Sequence, residues 1–120
     1  MMRKIITACS ALVFLTAMST AHAAMTEVCD TALSMTKNYT NAVEITGRQA
    51  DRDRATLLGK IDDARLKMLL DKPEDAWQKL EDYKTKVASM VESLKPSLSQ
   101  TDAESLTTAA IESQMVCTGM

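Results

Sequence analysis

Histidine is almost missing from this chain. The single one, His22, lies in a stretch expected to be removed, and with it goes the commonest general base and metal ligand. Aromatics make up only 3% of the residues, a single tryptophan, two tyrosines and a phenylalanine, so a large aromatic core or a base-stacking platform is excluded. With three glycines and two prolines there is little turn chemistry, and no segment alternates apolar and polar residues as a half-buried strand does. An all-α class follows. The charge has no basic excess either, at −2 for the whole chain, which gives no reason to expect nucleic-acid or anionic-membrane binding.

What is there begins with an export leader over residues 1–23. Arg3 and Lys4 supply a positive start, Ile5 through Met18 an apolar stretch, and Ala21-His22-Ala23 a small-x-small cleavage site. That stretch carries Thr7, Ser10 and Thr16 and is shorter than the roughly 17–25 residues of a membrane span, so a retained anchor is the weaker reading. Ile6-Thr7-Ala8-Cys9 resembles a lipid-attachment box only superficially, because Cys9 opens the apolar stretch where such a box must close it. Residues 24–120 then form one domain of 97 residues, without histidine and with 12 basic against 16 acidic residues, a net charge of −4. The expected location is periplasmic or secreted, with no membrane insertion after cleavage.

Two cysteines remain, Cys29 and Cys117, near the two ends of an exported domain. An oxidising compartment favours a disulfide, and two cysteines allow one intramolecular pairing; a free thiol or a bridge between chains are the alternatives. Closing so long a loop contributes up to ~4.6 kcal/mol in the chain-entropy picture, which usually overstates the gain.

Four stretches carry helical periodicity. Over about 26–45, Val28, Ala32, Met35, Tyr39 and Ala42 recur every three or four residues, with Cys29, Leu33 and Val43 on adjoining rows, and Thr46-Gly47 is the natural stop. Over about 50–70 the stripe is Leu57 or Leu58, Ile61, Ala64, Met68 and Leu69. Asp71-Lys72-Pro73-Glu74 then ends one helix and starts another, Pro73 suiting a first turn and Asp71 with Glu74 having the spacing of a capping pair. The third stretch, about 73–94, has the cleanest stripe, Ala76, Leu80, Tyr83, Val87, Met90 and Leu94, with Trp77 beside it, until Lys95-Pro96 breaks the helix. Thr101 with Glu104 reads as the cap of the last helix, whose inward face holds Leu106, Ala110, Ser113 and Cys117. Asp63 with Lys67, Asp75 with Lys79, and Asp82 with Lys86 have the spacing of pairs within a helix.

Two architectures are compatible with these helices: a three-helix module whose first helix runs unbroken from about 26 to 70, and four shorter antiparallel helices with a turn near Gly47. The cysteines discriminate. At 1.5 Å per residue an unbroken helix leaves Cys29 about 60 Å from the end where an up-down path delivers Cys117, whereas a disulfide needs Cα atoms about 4.4–6.8 Å apart. The expected fold is therefore a four-helix up-down antiparallel bundle closed by one disulfide.

Chemistry is hard to build from these residues. Carboxylates are plentiful but fall on polar faces among basic neighbours, and the two cysteines are expected to be oxidised to each other, so an enzyme is the least favoured class and no cofactor is expected. A haem bundle lacks both an attachment motif and a histidine ligand, zinc has no histidine or free thiolate pair to hold it, and Asp51-Arg52-Asp53-Arg54 starts like a calcium loop but has Ala55 at the fifth position and no turn glycine. Asn38-Tyr39-Thr40 matches a glycosylation acceptor inside a predicted helix. The mature methionines, Met35 and Met68 among them, fill core gaps or line an adaptable groove. Trp77, beside its stripe, is a core-edge residue or a possible interaction surface.

From about Arg52 to Cys117 the chain resembles the FIMAH-type helical module of bacterial exported and surface proteins. The residues that carry the resemblance are Leu58-Gly-Lys-Ile-Asp-Asp-Ala64, Leu70-Asp-Lys-Pro-Glu-Asp-Ala76, Gln78-Lys-Leu-Glu-Asp-Tyr83 with Val87, and Asp102-Ala103 with Leu106 and Ala110. This covers about two thirds of the mature chain. It implies an accessory module outside the cytoplasm with no catalytic residues to carry over; the added first helix and the disulfide depart from it. The leading functional expectation is a protein-binding or accessory module. Alternatives are an immunity or inhibitor protein against a toxin or hydrolase, and an acid-stress chaperone, which the segment Asp71–Ala76 resembles although the cysteine spacing differs.

Overall fold

The computed structural model describes residues 25–119; the expected leader lies outside the described residues. Four helices, α1 (Glu27–Ala42), α2 (Ala50–Leu69), α3 (Pro73–Glu92) and α4 (Gln100–Thr118), run up and down, and each packs on its chain neighbours, with α1 closing the ring against α4. The break between Ala42 and Ala50 excludes the three-helix alternative. It includes Gly47 at φ +96°, a backbone region that favours glycine.

The turn puts Cys29 and Cys117 at one end of the bundle, where they form a disulfide with Cα atoms 4.6 Å apart. The opposite end is closed by loops. The Thr46 N–H donates to the Ser97 carbonyl at 2.9 Å, and Ile45 and Leu98, both buried, plug the space beneath. The first turn of α1 is capped by Thr26, whose hydroxyl accepts from the Cys29 N–H. Its last turn carries no basic residue, and Arg54 of α2 supplies one from outside, donating to the carbonyls of Thr40, Asn41 and Val43 at 2.6–3.1 Å.

The inward faces of α2 and α3 largely follow their sequence stripes. Leu57, Ile61, Ala64 and Met68 are buried on α2, and Ala76, Leu80, Tyr83, Val87 and Met90 on α3. Leu69 and Leu94, expected on those stripes, are exposed instead, because each sits where its helix runs out or has ended.

The first helix departs most from expectation. Its buried row is Cys29, Leu33, Thr36 and Thr40, while Val28, Met35 and Tyr39 of the apolar row are exposed. Two causes act together. The disulfide fixes Cys29, and with it the row three and four residues on, toward the interior. The two threonines tolerate burial because their hydroxyls are satisfied. Thr36 Oγ1 lies 2.9 Å from the Ala32 carbonyl, 3.2 Å from the Ala109 carbonyl and 2.9 Å from Ser113 Oγ, and Thr40 Oγ1 donates to the Thr36 carbonyl at 2.7 Å.

Capping and charge pairing also differ from expectation. Asp71 has φ 58° and makes no cap, the N-cap of α3 being Lys72 without a side-chain bond. Ser99, not Thr101, caps α4 by accepting from the Asp102 N–H at 3.1 Å. Among the described residues the salt bridges from aspartates run between helices rather than along them, Asp30 with Arg65, Asp62 with Lys37 and Asp53 with Lys86. Lys86 thus reaches across to α2, and Asp82 accepts from Gln78 instead.

Candidate functional site

Rotation of α1 leaves an apolar face uncovered. Val28, Met35 and Tyr39 of α1, with Met115 and Val116 of α4, are half of the large hydrophobic side chains exposed among the described residues, at 44–63%. They line an open groove of ≈ 560 Å³ along the α1–α4 seam, floored by Ala32, Thr36 and Ala109. Toward the loop end it continues, through Tyr39, Ala109 and Glu112, into a more polar hollow bordered by Glu44, Asp102 and Glu104.

The two seams of α1 contrast. Toward α2 it is joined by the Lys37–Asp62 and Asp30–Arg65 bridges. Toward α4 it is held by the disulfide and the Thr36–Ser113 contact beneath the groove, where Ala109, Ala110 and Ser113 are small enough for close approach. The groove is therefore a surface feature over a firmly joined pair of helices, not a fissure into the core.

Beneath it lies a polar seam. Because the one hydroxyl hydrogen of Thr40 goes to the Thr36 carbonyl, Tyr83 must donate to Thr40, across the bundle at 2.7 Å. Burial pushes the Tyr83 phenol up from 10 to about 12. No buried side-chain nitrogen or oxygen among the described residues lacks a partner. The seam is thus structural in its geometry, with no orphaned group aimed at a substrate.

The shift of Tyr83 makes a stability prediction. The folded protein holds this proton more tightly than the unfolded chain, so its contribution is complete below pH 10 and is lost as pH rises from about 10 to about 12. Two units correspond to roughly 3 kcal/mol if fully expressed. Tyr83→Phe should cost about 1 kcal/mol at neutral pH and flatten the alkaline fall in urea-unfolding free energy. An equally steep fall in the variant would place its cause elsewhere.

Trp77 is half-buried near the start of α3, and its carbonyl accepts from Gln114 of α4 at 3.2 Å; it does not line the groove. Met68 and Met90 fill core space, while Met35 and Met115 line the groove, so the methionines divide between the two roles. Asp53 and Arg54 are engaged in the ion pair and the clamp described above. Among the described residues no group of three or more histidines, cysteines, aspartates or glutamates is placed to hold a metal ion, and no helix is long and apolar enough to cross a membrane. No family model, curated protein or solved structure matches the chain.

Proposed function

We propose that this is an exported, non-enzymatic binding module, periplasmic or secreted, whose working surface is the groove between α1 and α4. The observation that carries this reading is the concentration of exposed Val28, Met35, Tyr39, Met115 and Val116 on one seam. A contiguous apolar surface costs solubility and marks an interaction site more often than scattered side chains do. The resemblance to FIMAH-type modules and the leader expected at residues 1–23 support the same accessory role outside the cytoplasm.

The test is affinity capture from an extracytoplasmic extract with three oxidised proteins: the native sequence, Met35→Asp in the groove, and Leu66→Asp on an exposed position of α2. One partner retained by the native protein and by Leu66→Asp but lost by Met35→Asp is the expected result. Equal retention by all three, or turnover of a substrate with no partner found, overturns the proposal. If the captured partner is a hydrolase or toxin whose activity stops on binding, the module is an inhibitor or immunity protein.

A further inference from the structure

The groove has a charge of one sign. Within α1, α4 and the adjoining Glu44 there are six acidic residues and a single basic one, Lys37, and α4 contains no lysine or arginine at all. Lys37 is tied to Asp62, and Asp30 to Arg65, both on the α2 side. The five carboxylates left, Glu27, Glu44, Asp102, Glu104 and Glu112, all border the groove and its continuation, with no cation among the lining residues. None of the five makes a salt bridge among the described residues. Residues 48–95, in contrast, hold 11 basic against 10 acidic residues. The negative charge of the domain therefore resides on the groove side.

The apolar row has a period as well as a sign. Val28, Ala32, Met35, Tyr39 and Ala42 alternate steps of four and three, the 3.5-residue repeat of a seam that packs along another helix. From Val28 to Ala42 this seam is about 21 Å long, the length of about four helical turns.

Resting on the reading of this groove as the working surface, we propose that it receives a cationic amphipathic helix of another polypeptide. The apolar side chains of that helix would sit on the Val28–Ala42 row, with its lysines or arginines facing the carboxylate rim. A second copy of this chain offers no excess of basic charge to match the rim, since its residues 48–95 nearly balance, and an anionic lipid surface would be repelled by it.

The probe is a helical peptide of leucine and lysine with a 3.5-residue apolar repeat, titrated into the oxidised protein and followed by backbone amide shifts. A peptide with the same leucines and glutamate for lysine is the control. One-to-one binding is expected, with shifts confined to α1 and α4 and affinity at least about tenfold above the glutamate peptide at low salt. The Glu27→Gln/Glu44→Gln/Glu112→Gln variant should lose most of that difference, and Met35→Ser/Val116→Ser should weaken both peptides. Equal binding of the two peptides, shifts on α2 and α3, no binding of the lysine peptide, or tighter binding to phosphatidylglycerol vesicles would overturn the proposal. Capture that depends on Met35 while the peptides are bound equally would reject the cationic occupant alone; capture indifferent to Met35 would reject the groove itself.

Discussion

Leu33→Ala should destabilise the domain by about 2–5 kcal/mol, whereas Met35→Ala, two residues further along the same helix, should change its stability by no more than about 0.5 kcal/mol. Leu33 is fully buried in the core and Met35 is 47% exposed. Truncating Leu33 removes buried methyl groups and leaves a cavity that packed neighbours fill only in part. Truncating Met35 removes surface that water already touches. For a domain of this size each kcal/mol moves Tm by about 4–8 °C, so the first variant should melt at least about 6 °C lower than the second. Urea midpoints at unchanged slope are the cleaner measure. The hydropathy pattern alone ranks these variants the other way, since Met35 lies on the apolar stripe and Leu33 beside it. Equal effects, or the larger loss at Met35, would mean that α1 is turned by about one residue from the orientation described.

The particular helices show why this much of the fold was legible and where legibility stopped. On α3 one row is apolar from Ala76 to Met90 and most of its neighbours are charged or polar, so periodicity alone selects the inward face. On α1 two adjacent rows compete: one apolar throughout, the other containing Thr36 and Thr40. Hydropathy favours the first. The second is buried because its hydroxyls find partners on α3 and α4, as with Ser113 at a separation of 77 residues, and a periodicity argument carries no such information. Closure by Cys29 and Cys117 is legible from their number and position, whereas the rotation of α1 depends also on contacts made across the bundle. The groove is hidden for the same reason, because hydropathy alone assigns its apolar residues on α1 to the core. Among the caps, Ser99 and Thr101 are both acceptable chemically, and the path of the loop through Ser97 and Leu98 decides between them. The spacing of Asp82 and Lys86 suggests a pair within α3, but Asp53 on α2 stands within 3.0 Å of that lysine.

The disulfide should have the other large effect. Cys29→Ala/Cys117→Ala is expected to lower unfolding free energy by about 2–4 kcal/mol, against an upper figure of ~4.6 kcal/mol from the chain entropy of the loop. At about 4–8 °C per kcal/mol, Tm should fall by at least about 8 °C. Part of this is loop closure, because residues 88 apart no longer meet in the unfolded chain. Part is local to the α1–α4 seam. Without the bridge, the Cys29 row is held inward by Leu33 and the hydroxyl contacts of Thr36 and Thr40, while the row with Val28, Met35 and Tyr39 competes for the same interior. Amide shift changes in the double alanine variant should therefore concentrate on α1 and α4, and hydrogen exchange should quicken there before it quickens on α2 and α3. A variant that melts within about 2 °C of the oxidised protein, with exchange unchanged along α1, would show that the buried hydroxyls orient this helix by themselves. The groove would then be a product of hydrogen bonding and would persist when the bridge is reduced.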